Sequence, residues 1–521
     1  MKKTINIIDL FSGPGGLGEG FSSFLSEELE FRIRMSIERE KSAHNTLTLR
    51  AFYRILKRNN LEEAYFDYIE GRIDKSKLTS LYPALWDLAC IETMEQPTAL
   101  GEDNEKIKTR LLELKEIYKG KPWVVIGGPP CQAYSLVGRA RNKGVDGYVA
   151  EKDKRHFLYR EYLNVLSILE PDIFVMENVK GILSSKVDGE KIFPKILRDL
   201  ANPHLCMNGD KKGRQYRVVS FACEPKRSKA GEVVYDDNRD FIIKCESYGI
   251  PQSRHRVILL GIATDLQFIP ETLTELPEVM IEQALRGLPK LRSKLSKEED
   301  SSEAWKKVIC DNTRVLKQKL GATPKFIPVI MQMDRVIKEL EYKAPINGIG
   351  YAIDINSQDN ANSELMSWLL TDKPNKVLNH QARGHMSSDL ARYFFSACWA
   401  NPLVYGNSDR PFPKPEDYPS FLAPNHANWN SGKFADRFRV QRYQRPATTI
   451  TSHISKDGHY FIHPDATQCR SLTVREAARI QTFPDNYYFE GNRTEQYVQV
   501  GNAVPPFLAN QLARIVAKAF K

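Results

Sequence analysis

The spacing of apolar positions divides the chain into regular and irregular stretches. Residues 5–9 are a short β-branched run that ends in Leu10-Phe-Ser-Gly-Pro-Gly-Gly-Leu-Gly18, and the pattern after it predicts a helix over 19–29. A second strand-like run follows at 31–37. Residues 123–126 (Trp-Val-Val-Ile) read as a buried strand. Leu158, Tyr162, Val165, Leu166 and Leu169 recur at helical spacing within 157–169, and Pro171 introduces a strand at 172–176. Residues 241–245 and 256–261 read as a strand pair. Strand, loop and helix alternating in this way predict an open α/β sheet.

The pattern lapses twice. Residues 50–120 are mixed and charged, helical in places (106–118 among them), and show no chemistry. From 264 the alternation disappears and short helices are expected, one marked by Trp305, Val308, Ile309, Leu316 and Leu320 and one by Leu390, Tyr393, Phe394 and Ala397. Six prolines between 402 and 424 exclude long regular elements there. Regularity returns near 470, where Thr473 and Glu476 form a capping box, and the chain closes in an amphipathic helix after Pro506. The expected division is 1–263, a loop-rich 264–445, and a return to the first domain over 446–521. There is no internal repeat.

Composition narrows the class. With 41% hydrophobic and 27% charged residues the chain is globular rather than disordered, and a net charge of +10 points to a polyanionic partner. The apolar run at the N-terminus breaks at Asp9, and nothing approaches the ~20 apolar residues of a membrane span. The eight cysteines are scattered, without a CxxC pair or a His/Cys cluster at zinc spacing. His380 and His385 lack a third ligand and read as structural. The expectation is a cytoplasmic protein without a metal.

The candidate chemistry centres on Trp123-Val-Val-Ile-Gly-Gly-Pro-Pro-Cys131. Pro129 and Pro130 cannot continue a sheet ladder and must hold a stiff turn just past a strand end, where open α/β sheets place reactive groups. Burying a small thiol needs no such turn, so Cys131 reads as a nucleophile. Glu177 ends the 172–176 strand and is placed for the same cleft. Arg254 and Arg256 alternate, so both can face one way on an extended segment, toward a phosphate or a pyrimidine carbonyl. Gly13, Gly15 and Gly18 fit a GxGxxG loop, and Glu38, 20 residues further on, is placed to accept hydrogen bonds from ribose hydroxyls. That pattern indicates an adenosine-containing cofactor and leaves NAD and S-adenosylmethionine both open. Residues 139–154 are basic and fit a loop that clamps a phosphate backbone. Arg437, Arg439, Arg442 and Arg445 alternate with aromatic residues and fit a surface for reading duplex DNA.

Six blocks together carry a resemblance: Asp9-Leu-Phe-Ser-Gly-Pro-Gly-Gly16, Gly128-Pro-Pro-Cys-Gln132, Glu177-Asn-Val179, Gln252-Ser-Arg-His-Arg256, residues 470–484, and Gly501-Asn-Ala-Val-Pro505. In this order they resemble the DNA (cytosine-5)-methyltransferases. The resemblance implies a Rossmann-like, S-adenosylmethionine-dependent methyltransferase domain with a smaller, loop-rich target-recognition domain over 264–445. It implies that Cys131 attacks C6 of a flipped-out cytosine, that Glu177 holds or protonates N3, and that Arg256, with Arg254 nearby, contacts the base carbonyl and backbone. Phe11, Ser12, Gly13, Gly15, Gly16, Glu38, Pro130, Leu158, Asn502 and Ala503 would surround the cofactor. No Gly-Asp turn matches the family's adenine-side carboxylate, and Glu102 is the candidate in its place. Gln132, Ser135 and Arg139, with the four arginines of 437–445, would contact DNA. The implied enzyme is a modification methyltransferase of a restriction–modification system, acting on double-stranded DNA as a monomer, with any cognate endonuclease a separate protein. A tRNA cytosine-5 methyltransferase is the nearest alternative, and the long recognition region argues against it. An NAD-linked oxidoreductase explains the glycine loop but leaves Pro130-Cys131 without a role. A non-catalytic DNA-binding protein leaves the nucleophile block unexplained.

Overall fold

The computed structural model describes residues 2–130, 158–187, 190–209, 212–227, 233–297, 299–342, 345, 363–405, 417–424, 429 and 438–521. These form two compact units, 1–278 with 503–521, and 279–502. Residues 446–502, grouped by sequence with the returning first domain, belong to the second unit.

The first unit is built on seven strands: β1 (Lys3–Leu10), β2 (Leu29–Ile37), β3 (Trp123–Gly127), β4 (Ile173–Val179), β5 (Tyr216–Ser220), β6 (Ile242–Lys244) and β7 (His255–Ala263). Their order is β6-β7-β4-β3-β1-β2, with β5 also paired to β7. β1 to β4 run parallel, and β7 is antiparallel to β4, β5 and β6. Ile5, Ile7, Ile8, Val124, Val125 and Ile126 are all fully buried, as strands covered on both faces require. The Trp123 N–H donates to the Asp172 carboxylate (2.8 Å), which ties the start of β3 to that of β4. The strand order reverses at β1, with β2 added on one side and β3 on the other, so the loops leaving β1 and β3 flank a topological switch point, the usual ligand crevice of such sheets.

The helix after β1 covers Gly16–Ser22, earlier and shorter than the predicted 19–29. Gly15 enters it at φ 99°, a left-handed conformation that favours glycine, and this sets the first turn three residues ahead of the apolar pattern. Close packing explains its glycines. A Cβ on Gly20 would lie 2.3 Å from Ala509 Cβ and 2.5 Å from Pro506 O of the final helix, Pro506–Ala517. The same helix is held by Asn510, whose side-chain amide donates to Gly20 O (3.0 Å). Residues 41–117 form five helices: Lys41–Arg58, Glu63–Ile69, Lys75–Leu81, Pro83–Glu92 and Asn104–Ile117.

The second unit is more helical than its sequence suggests. Ser302–Leu320 and Ile327–Tyr342 run 19 and 16 residues, and with Ser387–Trp399 they enclose Trp305, Tyr393 and Trp399. The capping box at Thr473 and Glu476 is present on the helix Val474–Ile480. Arg470, Arg475 and Arg479 are fully buried around it. Arg470 and Arg479 pair with Glu476 and Asp485 at 2.6 Å each, and Arg475 donates to the carbonyls of Leu378, Pro484 and Tyr487. His380 is buried between Thr473 Oγ1 and Pro289 O. Among the described residues no helix is long and apolar enough to cross a membrane, and no group of three metal-ligating side chains is found.

Gly20→Ala should destabilise the first unit by about 1–3 kcal/mol, the usual effect of overpacking a close contact. Urea unfolding followed by tryptophan fluorescence will measure it.

Candidate active site

At the ends of β3 and β4, three short segments converge. Gly127 lies so close to β1 that a Cβ there would be 2.5 Å from Leu10 O. Gly128 is equally constrained, because a Cβ would lie 2.7 Å from Glu177 Oε2. The Asn178 side-chain amide donates to Pro129 O (3.2 Å) and fastens the proline turn to the end of β4. Glu177 in turn is paired with Arg256, Oε1 to Nε 2.8 Å, with each side chain only 13% exposed. The antiparallel register makes the pair possible, since it sets Ile258 opposite Glu177 and Arg256 opposite Val179. Arg254 is almost wholly buried and donates from Nη2 to Ala503 O (2.9 Å). Burial, then the like charge of Arg256, lowers its pKa to about 9, so it stays protonated at neutral pH. Burial also pushes the Cys245 thiol up to about 12, which leaves it inert at neutral pH.

The glycine loop makes a second concavity at the end of β1. Phe11 and Gly13 both take positive φ, 54° and 57°, and Gly13 looks onto open space. Ser12 donates to Ile37 O from its backbone (3.0 Å) and to Asp9 O from its hydroxyl (2.8 Å). Glu38 reaches back into the loop, accepting from Gly13 N (2.8 Å) and Glu40 N (2.7 Å), and burial raises its pKa. Val504 closes the loop from the other side, its carbonyl 2.2 Å from where a Gly16 Cβ would stand. Beside this cradle, Thr98 N donates to Glu38 O (2.9 Å), and the turn at Gly101 abuts Leu158. Glu102 is exposed on that turn, and the neighbouring Asp103 carboxylate accepts from Ala99 N (2.7 Å). A glycine facing open space, a closely packed glycine and an anchored carboxylate at a strand end fit an adenosine-bearing cofactor.

The structure therefore brings together Phe11, Ser12, Gly13, Gly15, Gly16, Glu38 and Ala503, sets Leu158 against the turn at Gly101, and separately brings together Pro130, Glu177, Arg254 and Arg256. Cys131, Gln132, Ser135, Arg139, Arg437 and the basic stretch 139–154 lie outside the described residues. Asn502 ends the helix Arg493–Asn502 of the second unit and is exposed. Within that unit, Arg442 and Arg445 line a cleft of about 240 Å³ with Pro402 and Gln444, and Arg439 is half-buried on a neighbouring segment. Sequence reasoning missed one supporting pair. Arg50 grips Glu19 of the loop helix with two hydrogen bonds (2.9 and 2.6 Å), and both side chains are buried. The only signal was a carboxylate among the glycines of 16–20.

The C-5 cytosine-specific DNA methylase family matches residues 73–203 and 238–518, well over half of the chain. The type II methyltransferase M.Bpa9945I of Bacillus paralicheniformis is 33% identical over 98% of this chain and 98% of its own. M.DdeI of Desulfomicrobium norvegicum is 28% identical over 76% of this chain and 73% of its own. Among solved structures, a prophage-encoded E. coli protein assigned as a DNA modification methyltransferase superposes over 99% of both chains, with a TM-score of 0.52 and 18% identity. It shares the fold.

Two expectations follow from this geometry. Gly128→Ala should displace the Glu177 carboxylate and lower kcat by at least about tenfold, roughly 1.4 kcal/mol of barrier, while the melting temperature stays near that of the wild type. Steady-state kinetics with a thermal melt checks both. Asp9, fully buried below the loop, has its pKa raised to about 8 by burial, with Arg54 and Ser12 opposing and Glu38 and Glu92 reinforcing. The folded state then binds a proton that the unfolded state releases near the usual carboxylate value. Stability from this group is therefore present at acid pH and lost as pH rises toward 8. Asp9→Asn should gain on the wild type over that window, by at most about 1.4 kcal/mol per pH unit, in chemical denaturation at a series of pH values.

Proposed function

The chain belongs to the C-5 cytosine-specific DNA methylase family and is a DNA (cytosine-5)-methyltransferase of the restriction–modification type, and from that premise we propose how its residues divide the reaction. Cys131 is the nucleophile, and its thiolate adds to C6 of a cytosine turned out of the duplex. Glu177 hydrogen-bonds or protonates N3, so that addition produces an enamine rather than a localised anion. Arg256 holds Glu177 in place and donates to the base carbonyl. S-adenosylmethionine, held by Phe11, Ser12, the glycines at 13, 15 and 16, Glu38, Leu158, Asn502 and Ala503, would supply an electrophilic methyl group. Once C5 carries the methyl, it loses its proton, the C6–S bond breaks, and the Cys131 thiolate is restored. Glu102 is kept as the candidate for the adenine side.

One observation carries the reading: the Glu177–Arg256 pair lies against Gly128, three residues before Cys131, in a chain of this family. A carboxylate fixed by a guanidinium suits a group that must bind the ring nitrogen edge-on. The reading extends to the second unit, where 264–445 selects the target sequence and Arg439, Arg442 and Arg445 contact DNA with Arg437. It includes Gln132, Ser135 and Arg139 at the DNA, action as a monomer, and a restriction endonuclease as a separate chain.

Cys131→Ser should abolish methyl transfer and retain duplex binding. Duplex DNA with 5-fluorocytosine at the target should trap the wild type in a denaturant-stable adduct, because fluorine at C5 cannot leave as a proton. Normal turnover on cytosine with no adduct on the fluorinated duplex, read by denaturing gel, would refute the covalent route.

A further inference from the structure

The base-side pair and the glycine cradle stand on different loops, and one buried side chain spans them. Arg254 sits two residues before Arg256 and is 2% exposed. Its backbone is fixed at both ends, with its N–H donating to Gln252 O (2.9 Å) and its carbonyl accepting from Cys245 N (3.0 Å). From this anchored position its guanidinium reaches Ala503 O at 2.9 Å, in a contact with no solvent access. Ala503 and Val504 are the residues that press on the glycine loop, with Ala503 Cβ 3.3 Å and Val504 O 2.2 Å from a Cβ built on Gly16.

We propose that Arg254 is a positioning residue: it holds the 503–504 turn down on the glycine loop and thereby makes cofactor affinity depend on the 252–256 segment that carries Arg256. The inference rests on the reading that the cradle binds S-adenosylmethionine. Without the guanidinium the buried Ala503 carbonyl loses a charge-assisted hydrogen bond, and with it the tie that holds the turn in place. The turn then lifts from Gly16, and the loop loses the backing that defines its shape. Arg256 faces Glu177 and gives the loop no such support. Because coupling between two sites is reciprocal, bound cofactor also steadies the segment that holds the base-side arginine.

Isothermal calorimetry with S-adenosylhomocysteine, on the full chain without DNA, tests the assignment. Arg254→Met should bind about tenfold more weakly, a loss of roughly 1.4 kcal/mol. Arg254→Lys keeps one donor within reach of the carbonyl and should lose about two- to fivefold, while Arg256→Ala stays within about twofold of the wild type. If the wild type binds no S-adenosylhomocysteine, the cofactor reading itself fails. If the wild type binds and Arg254→Met stays within about twofold of it, or Arg256→Ala loses as much, the positioning role is overturned and the cofactor reading stands. Should Arg254→Met be unfolded by circular dichroism, Arg254→Lys decides: a two- to fivefold loss supports the role, and a wild-type Kd overturns it.

Discussion

In β7, Arg256 stands opposite Val179 and Ile258 opposite Glu177, so the arginine reaches back diagonally to meet the carboxylate. Strand periodicity makes this arrangement intolerant of error. A slip of one residue would turn Arg256 to the other face of the sheet and leave Glu177 without its partner. The antiparallel neighbours of β7 guard against that slip. β6 pairs with its first part and β5 with its second along one edge, and β4 runs along the other. The stiffness of the Pro129–Pro130 turn would be of little use if the carboxylate beside it could drift. Asn178, next to Glu177, closes the arrangement by binding the turn itself.

The second unit solves a different problem. Three arginines with no solvent exposure surround one short helix, each fully matched by carboxylates or carbonyls. Buried ion pairs add little net stability compared with an apolar core, but removing one partner strands a charge at a penalty of several kcal/mol. Such a network therefore favours one arrangement of the chain over near alternatives. Glu476 illustrates the economy of the design, because the carboxylate that caps its own helix also takes two hydrogen bonds from Arg470. Burial favours its neutral form, yet the charges of Arg470 and His463 hold its pKa well below the usual range.

Much of the first unit was legible because its strands are short β-branched runs set off by glycine and proline. The runs at 5–9, 31–37 and 123–126 fall within β1 to β3, the run at 172–176 starts one residue before β4, and the ends of β1, β3 and β4 carry the residues singled out for chemistry. What escaped depends on partners distant in sequence. Gly18 and Gly20 argue against an early helix by propensity, but the helix forms there because its packing against 506–510 admits no side chain at Gly20. β5 is five residues long in a basic stretch, too short for alternation to stand out. The helix at 302–320 is longer than expected from its interrupted apolar face, and the helix at 327–342, with Pro328 near its start, was not expected at all. Glu38 was placed near a ribose on spacing alone. Only the fold shows that its two oxygens also hold Gly13 and Glu40, which ties the loop to the end of β2.

The contacts of Gly16 and Gly20 with residues 503–510 join positions nearly the whole chain apart. Long-range contacts of this kind form late, because a large loop must close before they yield any stabilisation. During synthesis the glycine loop emerges first and waits for its backing until residues 503–517 have left the ribosome. A chain that stops short of residue 503 would lack the residues that pack on Gly16 and Gly20, and its glycine loop would be left without backing.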